Sequence, residues 1–395
     1  MIRGTKELLK LTIFHTEIEL RRLSLKPFHD HFKIIFTHGN EENGNPSQML
    51  YYFWLRDHCR CGECINSRTF QKSYHILDIP LNVKPIQYHL EEKQLSVIWD
   101  DGHSSEFSLE WLKNVHQPIV RQREYFFWNK DTGSDIVDNS ISLDEIKKNK
   151  TKCQIKLLKS LLKYGFAFIA GIEPTLNATE NAITTFFPVN KTHFGDMWQV
   201  TNNYLHNDTA YTDSFLAPHT DNTYWTEAAG LIAFHMLSYE GTGGNTLLVD
   251  GFNAATNLKN NRPELYDTLT KNVIEWEYVD EGVHYSNIDH IIKHHPLTKD
   301  LWQIRFNVYD RAVLRTLPSE KILNFYKAYT AFGAEIGNKN NELNIKLIPG
   351  TILLIDNWRV MHGRESFTGL RILGGCYVSR ADWLSTAKNF GLSVY

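Results

Sequence analysis

The chain has 395 residues, enough for two domains or for one large domain with an appendage. Apolar residues make up 42% and charged residues 22%, which excludes a disordered or fibrous protein. The formal net charge of -3 offers no basic excess for nucleic acid, and no apolar run reaches the roughly 18 residues of a membrane helix. We therefore expect a soluble globular protein that binds neither nucleic acid nor membranes.

The first 25 residues are rich in lysine and arginine, but Glu7, Glu17 and Glu19 interrupt them. Because a mitochondrial transit peptide is poor in acidic residues, we expect a cytoplasmic protein, with the mitochondrial matrix as the alternative. The five cysteines are too few for a secreted disulfide scaffold, and three of them lie within Cys59–Cys64. This clustering indicates a metal site in a reducing compartment.

Short strands separated by turns are predicted in the first part of the chain, at 33–36, 87–90 and 95–99. They define a small β-rich domain over residues 1–128. The composition of residues 129–152 then shifts to Asp, Asn, Ser and Lys, which predicts a linker that turns helical at its end.

The three clustered cysteines, Cys59, Cys61 and Cys64, combine with His103 into a Cys₃His set. Such a set is typical of a closed tetrahedral zinc site, which leaves no position for a water molecule and therefore supports folding rather than catalysis. A redox pair and simple free thiols are the alternative interpretations.

The second domain, residues 153–395, begins with apolar residues at helical spacing from Ile155 to Tyr164, followed by Gly165 as a left-handed cap and a strand at 166–172. Further strands are predicted at 231–237, 246–249, 302–306, 351–355 and 373–378, and a helix begins at Pro263. The pattern predicts a mainly β fold with flanking helices. The histidine-rich stretch Glu281–Asp300 is interpreted as a solvated loop rather than a second metal cluster.

A His-x-Asp pair lies at His219 and Asp221, where positions i and i+2 of an extended segment project to the same side. Its histidine partner is expected to be His362, which follows an apolar strand. Two histidines and one carboxylate form the facial triad of non-haem Fe(II) oxygenases, with open positions for a co-substrate and O₂. The pair taken alone also fits a strand histidine beside a turn aspartate.

Longer motifs surround these residues, and through them the chain resembles the 2-oxoglutarate-dependent dioxygenases of carnitine biosynthesis, most closely the trimethyllysine dioxygenases. The resemblance covers roughly residues 50–390, and the most specific matching segments lie in the second proposed domain: Asp208–Tyr211, His219–Asp221, Phe234–Leu237, Glu240–Phe252, Tyr309–Arg311 and Asp356–Gly369.

The resemblance implies a double-stranded β-helix, or jelly roll, catalytic domain preceded by the small zinc-binding domain. It implies that His219, Asp221 and His362 bind Fe(II), that Arg371 pairs with the distal carboxylate of 2-oxoglutarate, and that the hydroxyl of Thr246 meets the same co-substrate. A planar bidentate arginine suits that carboxylate. O₂ is the second co-substrate, ascorbate keeps the iron reduced, and a homodimer is expected.

A quaternary ammonium cannot donate a hydrogen bond, so proteins surround it with aromatic rings. The resemblance assigns this cage to Phe194, Trp198, Tyr211 and Tyr377, with phenylalanine at 194 where the family leads us to expect tyrosine. Asp208 is assigned to the α-ammonium of the substrate, since burying this carboxylate without a cation would be costly. Asn307 is assigned to the substrate carboxylate.

The expected function is hydroxylation of free N6-trimethyllysine at C3, the first step of carnitine synthesis. γ-Butyrobetaine hydroxylation is the nearest alternative, because γ-butyrobetaine also carries a trimethylammonium group but has no α-ammonium. Demethylation of methyl-lysine in histone tails and non-catalytic binding of quaternary ammonium ligands are more distant alternatives.

Overall fold

A computed structural model describes residues 23–36, 47–115, 123–137, 140–202 and 209–394. The chain divides into two compact units, Met1–Pro118 and Ile119–Tyr395. Residues 1–22, which carry most of the segment used to predict the compartment, lie outside the described residues. Among the helices of the described ranges, none combines the length and the apolar character needed to cross a membrane.

The first unit contains two antiparallel three-stranded sheets, each with its strands in sequence order. The strands predicted at 33–36, 87–90 and 95–99 are confirmed within the strands His31–Phe36, Pro85–Leu90 and Gln94–Trp99. The elements are β1 (Leu23–Pro27), β2 (His31–Phe36), β3 (Ser47–Tyr51), α1 (Tyr52–Asp57), β4 (Pro85–Leu90), β5 (Gln94–Trp99), β6 (Ser104–Ser108) and α2 (Leu109–Asn114).

Alternating side chains of these strands form the core of the first unit. Phe32, Leu50 and Trp99 are fully buried, as the period of two in a half-buried strand requires. The indole of Trp99 donates a hydrogen bond of 2.9 Å to Ser105 Oγ across the β5–β6 hairpin. Gly102 turns this hairpin with φ of +85°, a conformation that glycine adopts without strain, and His103 follows it directly.

The second unit is built on two sheets. Its strands are β7 (Ile141–Ser142), β8 (Phe166–Ala170), β9 (Trp198–Val200), β10 (Leu216–His219), β11 (Leu231–Gly243), β12 (Thr246–Asp250), β13 (Val273–Asp280), β14 (Val283–His290), β15 (Ile292–His294), β16 (Leu301–Ile304), β17 (Glu342–Ile345), β18 (Thr351–Asp356), β19 (Val360–Arg364) and β20 (Phe367–Val378). The larger sheet has the strand order β7-β8-β18-β11-β20-β9 and the smaller β10-β19-β12-β17, while β13–β14 and β15–β16 are separate hairpins.

Apolar side chains of both sheets meet in one cluster that includes Ile232, Leu248, Leu353 and Val360. The mainly β fold with flanking helices is therefore confirmed, with its core between two packed sheets. The helices are α3 (Lys130–Val137), α4 (Leu143–Lys148), α5 (Lys150–Tyr164), α6 (Leu176–Thr184), α7 (Gly251–Asn261), α8 (Pro263–Lys271), α9 (Ser319–Ile336) and α10 (Arg380–Asn389).

Two predicted helices agree with the structure. Helix α5 ends at Gly165, whose φ of 83° is the expected left-handed cap, and α8 begins at Pro263. The 18-residue helix α9 was missed. It is rich in aromatic and β-branched residues of weak helix propensity, and no side chain caps its first turn, so burial of Phe325 and Phe332 against neighbouring elements stabilises it instead.

Two segments differ from their expected loop character. Residues 129–152 carry α3, β7 and α4, and β7 pairs in parallel with β8, because Ile141 and Ile146 contribute to the apolar core. The stretch Glu281–Asp300 forms β14 and β15 rather than a solvated loop. Its alternating exposed and half-buried side chains explain the difference, since one face of β14 packs while the other meets water.

Candidate active site

His219 and His362 are brought together by the pairing of β10 with β19. The two residues are direct partners in the antiparallel register, and their ring centroids lie 4.5 Å apart. Asp221 follows β10 by two residues, and its Oδ1 lies 3.2 Å from His219 Nε2 and 3.3 Å from His362 Nε2. One ligand atom from each of the three residues falls within 4.8 Å of the others.

Hydrogen bonds outside this triad orient its members. The Nδ1 of His219 lies 2.8 Å from the carbonyl of Ala217, so Nδ1 donates to that carbonyl and Nε2 is the ring atom that faces Asp221. Asn357 accepts a bond of 2.8 Å from the backbone N–H of Asp221 and donates one of 3.0 Å to its carbonyl. The hydroxyl of Tyr377 donates to Asp221 Oδ2 at 3.0 Å. Asp221 Oδ2 is therefore bonded to Tyr377, and Asp221 Oδ1 faces both histidines.

The electrostatics of the triad follow from burial and mutual charge. Burial raises the pKa of Asp221, but the charges and hydrogen bonds of His362 and His219 outweigh it and hold that pKa well below its ordinary value. Burial lowers the pKa of His362. For His219, burial also acts to lower the pKa, but the hydrogen bond to Asp221, the charge of Asp221 and the bond to Ala217 together outweigh it, and the pKa is raised.

The spacing of the three donor atoms fits one metal ion. Two ligands at right angles, each about 2.1 Å from a metal, are about 3.0 Å apart, close to the observed 3.2 and 3.3 Å. Two imidazole nitrogens and one carboxylate oxygen on one side are the donor set of non-haem iron oxygenases. These residues could therefore hold Fe(II) with its other coordination positions open to the cavity.

Arg371 lies on β20 in the same cavity and is only 4% exposed. In the described part of the chain no ion pair involves Arg371, and its Nε has no hydrogen-bond partner. Burial, together with the charge of Arg364, lowers the pKa of Arg371 to about 10, so the guanidinium stays protonated at neutral pH. Thr246, on β12, lines the same cavity. A buried cation beside a metal site is a receptor for an anionic ligand.

Aromatic rings form another part of the cavity wall. Tyr377 lies 5.6 Å from Trp198 and 6.5 Å from Phe194 between ring centroids, and Tyr211 lines the same cavity. The four predicted cage residues are thus found together. Trp225, whose ring centroid is 5.9 Å from that of Tyr377, was not predicted. Nothing in its local sequence separates it from an ordinary core tryptophan.

Asn307 also lines the cavity, but its side chain is engaged within the protein. Its Nδ2 donates a bond of 2.6 Å to Asp310 Oδ2, and its Oδ1 accepts one of 2.9 Å from the N–H of Tyr309. Asp310, Tyr309 and Arg364 line the cavity as well and were not predicted as site residues. Asp208 lies outside the described residues.

The four predicted zinc ligands converge in the first unit. His103 Nε2 lies 3.3 Å from Cys59 Sγ, 3.5 Å from Cys61 Sγ and 3.4 Å from Cys64 Sγ. Tetrahedral zinc with bonds of about 2.3 Å to sulfur and about 2.0 Å to nitrogen places such atoms about 3.5 Å apart. The four side chains could therefore hold a structural zinc ion, with the β5–β6 hairpin supplying the histidine.

Comparison with known proteins finds a family match over each of the two units. Residues 130–377 match the model of the taurine catabolism dioxygenase TauD, TfdA family, and residues 24–113 match that of the gamma-butyrobetaine hydroxylase-like N-terminal domain. Trimethyllysine dioxygenase of Rattus norvegicus is 40% identical over 351 residues, which cover 86% of this chain and 82% of the relative.

Two human proteins allow a comparison between substrates. The chain is 37% identical to human trimethyllysine dioxygenase over 400 residues, which cover 98% of this chain and 93% of the relative. It is 28% identical to human gamma-butyrobetaine dioxygenase over 372 residues, which cover 89% and 92% of the two chains.

Proposed function

The chain belongs to the taurine catabolism dioxygenase TauD, TfdA family and, within it, to the trimethyllysine dioxygenases, and from this premise we propose that it hydroxylates free N6-trimethyllysine at C3. The observation that carries the proposal is a single cavity lined by a two-histidine, one-carboxylate triad, a buried arginine and an aromatic wall. Each of these features matches one requirement of a 2-oxoglutarate-dependent hydroxylation of a quaternary ammonium substrate.

In this proposal His219, Asp221 and His362 hold Fe(II). Bound iron, together with 2-oxoglutarate and O₂, supplies the oxidising chemistry that inserts a hydroxyl group into a C–H bond and releases succinate and CO₂. Tyr377 and Asn357 keep the carboxylate of Asp221 oriented, through the bonds to its Oδ2 and to its backbone. Such supporting bonds typically change metal affinity or activity 10- to 100-fold.

Arg371 and Thr246 bind 2-oxoglutarate. The guanidinium of Arg371 pairs with the distal carboxylate, and the hydroxyl of Thr246 donates to the same co-substrate. The support is the burial of Arg371 without an anionic partner in the described residues, since a desolvated cation gains most from a carboxylate that arrives with the ligand.

The aromatic wall binds the trimethylammonium group and exposes C3 to the metal. Phe194, Trp198, Tyr211 and Tyr377 offer ring faces, which attract a cation that cannot donate a hydrogen bond. Asn307 serves the substrate carboxylate with the remaining N–H of its amide. Asp208 serves the α-ammonium. Fixing both ends of the substrate places one carbon in reach of the metal.

Trimethyllysine is favoured over γ-butyrobetaine because the chain is more similar to human trimethyllysine dioxygenase than to human gamma-butyrobetaine dioxygenase, at 37% against 28% identity. The zinc ion at the Cys₃His set stabilises the first unit and takes no part in the reaction. The proposal also includes ascorbate as the reductant that keeps the iron reduced, and it includes assembly of the protein into a homodimer. The predicted compartment is the cytoplasm, and the matrix is its alternative, since the names of the vertebrate relatives place them in mitochondria.

The test is succinate formation by the purified protein with Fe(II), 2-oxoglutarate, O₂ and ascorbate. Trimethyllysine, γ-butyrobetaine and a trimethylated peptide are compared in parallel, with His219→Ala as the inactive control. Stimulation by free trimethyllysine alone supports the proposal. Stimulation by γ-butyrobetaine instead would indicate that the protein catalyses the last hydroxylation of carnitine synthesis. Tight binding of trimethyllysine without succinate formation would indicate a non-catalytic binding protein.

A further inference from the structure

Asn222, the residue that follows Asp221, is a buried amide in the wall of the cavity. Its side chain is only 2% exposed, and the proposed function gives it no part. Its Oδ1 is buried and, among the described residues, has no hydrogen-bond partner. A buried polar atom without a partner is unfavourable, and most such atoms in native proteins are bonded. This oxygen therefore requires a donor that the described part of the chain does not supply.

The backbone conformation of Asn222 explains why it lines the cavity together with Asp221. In extended chain, neighbouring side chains project to opposite faces, so the residue next to Asp221 would point away from the metal ligands. Asn222 instead has a φ of +57°, in the left-handed region that asparagine adopts more readily than most residues. A turn follows, in which Trp225 N–H donates to the carbonyl of Asn222 at 3.0 Å. The alternation is thereby broken, and both side chains line one cavity.

Hydrogen bonds hold the backbone on both sides of Asn222. Asn357 bonds the N–H and the carbonyl of Asp221, and the carbonyl of Thr223 accepts a bond of 2.8 Å from Arg305 Nη1. The backbone therefore fixes the amide beside the metal ligands. The last torsion of an asparagine side chain is broad and roughly two-fold, so the amide can turn its oxygen towards a group in the cavity while the backbone stays in place.

The chemistry of the ligands limits which group can bond this oxygen. An amide oxygen is an acceptor, and the carboxylates and the keto group of 2-oxoglutarate are acceptors too. A trimethylammonium group has no N–H to donate. The α-ammonium of an amino acid has three N–H donors. Among the organic groups that the proposed reaction brings into the cavity, the α-ammonium is therefore the matching partner.

An α-amino acid hydroxylated at C3 carries this group close to the metal. The α-nitrogen is separated from C3 by one carbon, so the two atoms are about 2.5 Å apart. The Cα atoms of Asn222 and Asp221 are about 3.8 Å apart, as in any pair of consecutive residues. When C3 is held in reach of the metal, the α-ammonium and the amide of Asn222 thus lie at the same end of the cavity.

We propose that the amide oxygen of Asn222 accepts a hydrogen bond from the α-ammonium of the substrate and so selects an α-amino acid over the same betaine without that group. This inference rests on the proposed function, since it takes trimethyllysine as the substrate. It is compatible with the role assigned to Asp208, because an ammonium group with three N–H donors can have more than one partner.

The test combines a change in the ligand with a change in the protein. Binding of trimethyllysine and of 6-(trimethylammonio)hexanoate, which lacks only the α-ammonium, is measured by calorimetry. The full chain is used, loaded with Fe(II) and 2-oxoglutarate in the absence of O₂. Asn222→Gly removes the amide and keeps the freedom to adopt a positive φ, whereas Asn222→Asp keeps an acceptor oxygen at the same place.

The matched control is Asn340→Gly, at an exposed asparagine after α9. Iron content and thermal unfolding establish that each variant is intact. Asn222→Ala, which also removes the amide, replaces Asn222→Gly if the glycine variant does not fold.

For the parent protein we expect trimethyllysine to bind at least about 10-fold more tightly than the hexanoate. In Asn222→Gly this ratio should fall about 10-fold, mainly through weaker binding of trimethyllysine, because a hydrogen bond to a charged group is lost. Asn222→Asp should keep or raise the ratio, since a carboxylate is a stronger acceptor for an ammonium group than an amide is. Asn340→Gly should keep the parent ratio.

The alternative is that a water molecule bonds the oxygen of Asn222 and that the side chain only completes the cavity wall. Asn222→Gly would then leave the ratio unchanged, even if both ligands bound more weakly, and this result overturns the inference. An equal fall of the ratio in Asn222→Asp also overturns it, because the effect would then belong to the amide N–H. Succinate formation is measured separately. If trimethyllysine binds without stimulating succinate release, the proposed function fails, while the binding ratio still decides the role of Asn222.

Discussion

His219 and His362 are direct partners in the register of β10 and β19, with ring centroids 4.5 Å apart. Register in a sheet with a buried face is strongly specified, because a shift by one residue turns every side chain to the opposite face. Pairing these strands in this register is therefore what brings the two imidazoles to one side of the sheet, facing Asp221. Both histidines are buried, which keeps water away from the donor atoms on the protein side.

Replacement of His219 by alanine should abolish iron binding and trimethyllysine-dependent succinate formation. We expect a loss of more than about 100-fold, since changes to groups that only orient a ligand already cost 10- to 100-fold. Iron content and steady-state rates measure the effect. The matched control is His284→Ala, an exposed histidine that pairs with Glu277, and equal losses in both variants would contradict the assignment.

The contribution of the Tyr377 hydroxyl can be measured separately from that of its aromatic ring. Tyr377→Phe removes the bond to Asp221 Oδ2 but keeps the aromatic face. We expect kcat to fall about 10- to 100-fold with little change in KM for trimethyllysine, as for other groups that orient a metal ligand. Tyr377→Leu should in addition raise that KM, because the cation loses a ring face. A rise in KM with unchanged kcat in Tyr377→Phe would contradict this division.

Arg371 should contribute binding energy at the expense of stability. Arg371→Met is expected to raise KM for the co-substrate 2-oxoglutarate by about 30-fold or more, as truncating one partner of a buried charge pair costs about 2–5 kcal/mol. Without co-substrate, the free energy of unfolding of the same variant should be about 1–3 kcal/mol higher, because a buried cation is removed. Urea unfolding with and without 2-oxoglutarate tests both effects, and a destabilised variant in the absence of 2-oxoglutarate would argue against the assignment.

Cys64→Ser should release zinc and unfold the first unit. The metal supplies folding energy in closed Cys₃His sites, so its loss removes a large part of the stability of a small β-rich unit. Zinc content by elemental analysis and proteolysis of the first unit measure the outcome. Cys153→Ala, at a buried cysteine of the second unit, serves as control and should retain zinc. Retention of zinc by Cys64→Ser would exclude the proposed ligand set.

The burial of His235 leads us to expect that the protein loses stability in acid. Thr179 donates its hydroxyl proton to the carbonyl of Thr175, so it accepts from His235 Nδ1 at 2.7 Å and fixes the neutral tautomer. His235 Nε2 is buried, and among the described groups it has no hydrogen-bond partner. Burial lowers the pKa of His235 from 6.5 to about 4.

The unfolded chain therefore binds a proton at higher pH than the folded protein does, and stability falls as the pH drops from about 6.5 towards 4. We expect the contribution to be about 2 kcal/mol between pH 6.5 and 5, at 1.36 kcal/mol for each pKa unit. Urea unfolding of the parent and His235→Leu across this range measures it. The variant should show the weaker dependence on pH, and parallel curves would refute the role of His235.

Several features were predictable because they depend on neighbours in the sequence. The helical spacing of Ile155–Tyr164 and its glycine cap arise from local periodicity and from the freedom of Gly165 to adopt a positive φ. The side-by-side projection of His219 and Asp221 follows from the period of two in extended chain. The spacing of Cys59, Cys61 and Cys64 likewise predicts a cluster of thiol groups, and the structure places the three sulfur atoms together with His103.

The sequence by itself thus determined the chemistry that is available: the metal-binding residue types, the aromatic side chains and the strand-rich pattern. Tertiary structure decided which of these side chains meet. Strand pairing between distant segments placed His362 opposite His219, packing made a helix of Ser319–Ile336 despite weak local propensity, and anchoring of the Phe306–Asp310 segment brought a second carboxylate to the cavity. These outcomes depend on contacts between residues far apart in sequence, which local periodicity does not encode.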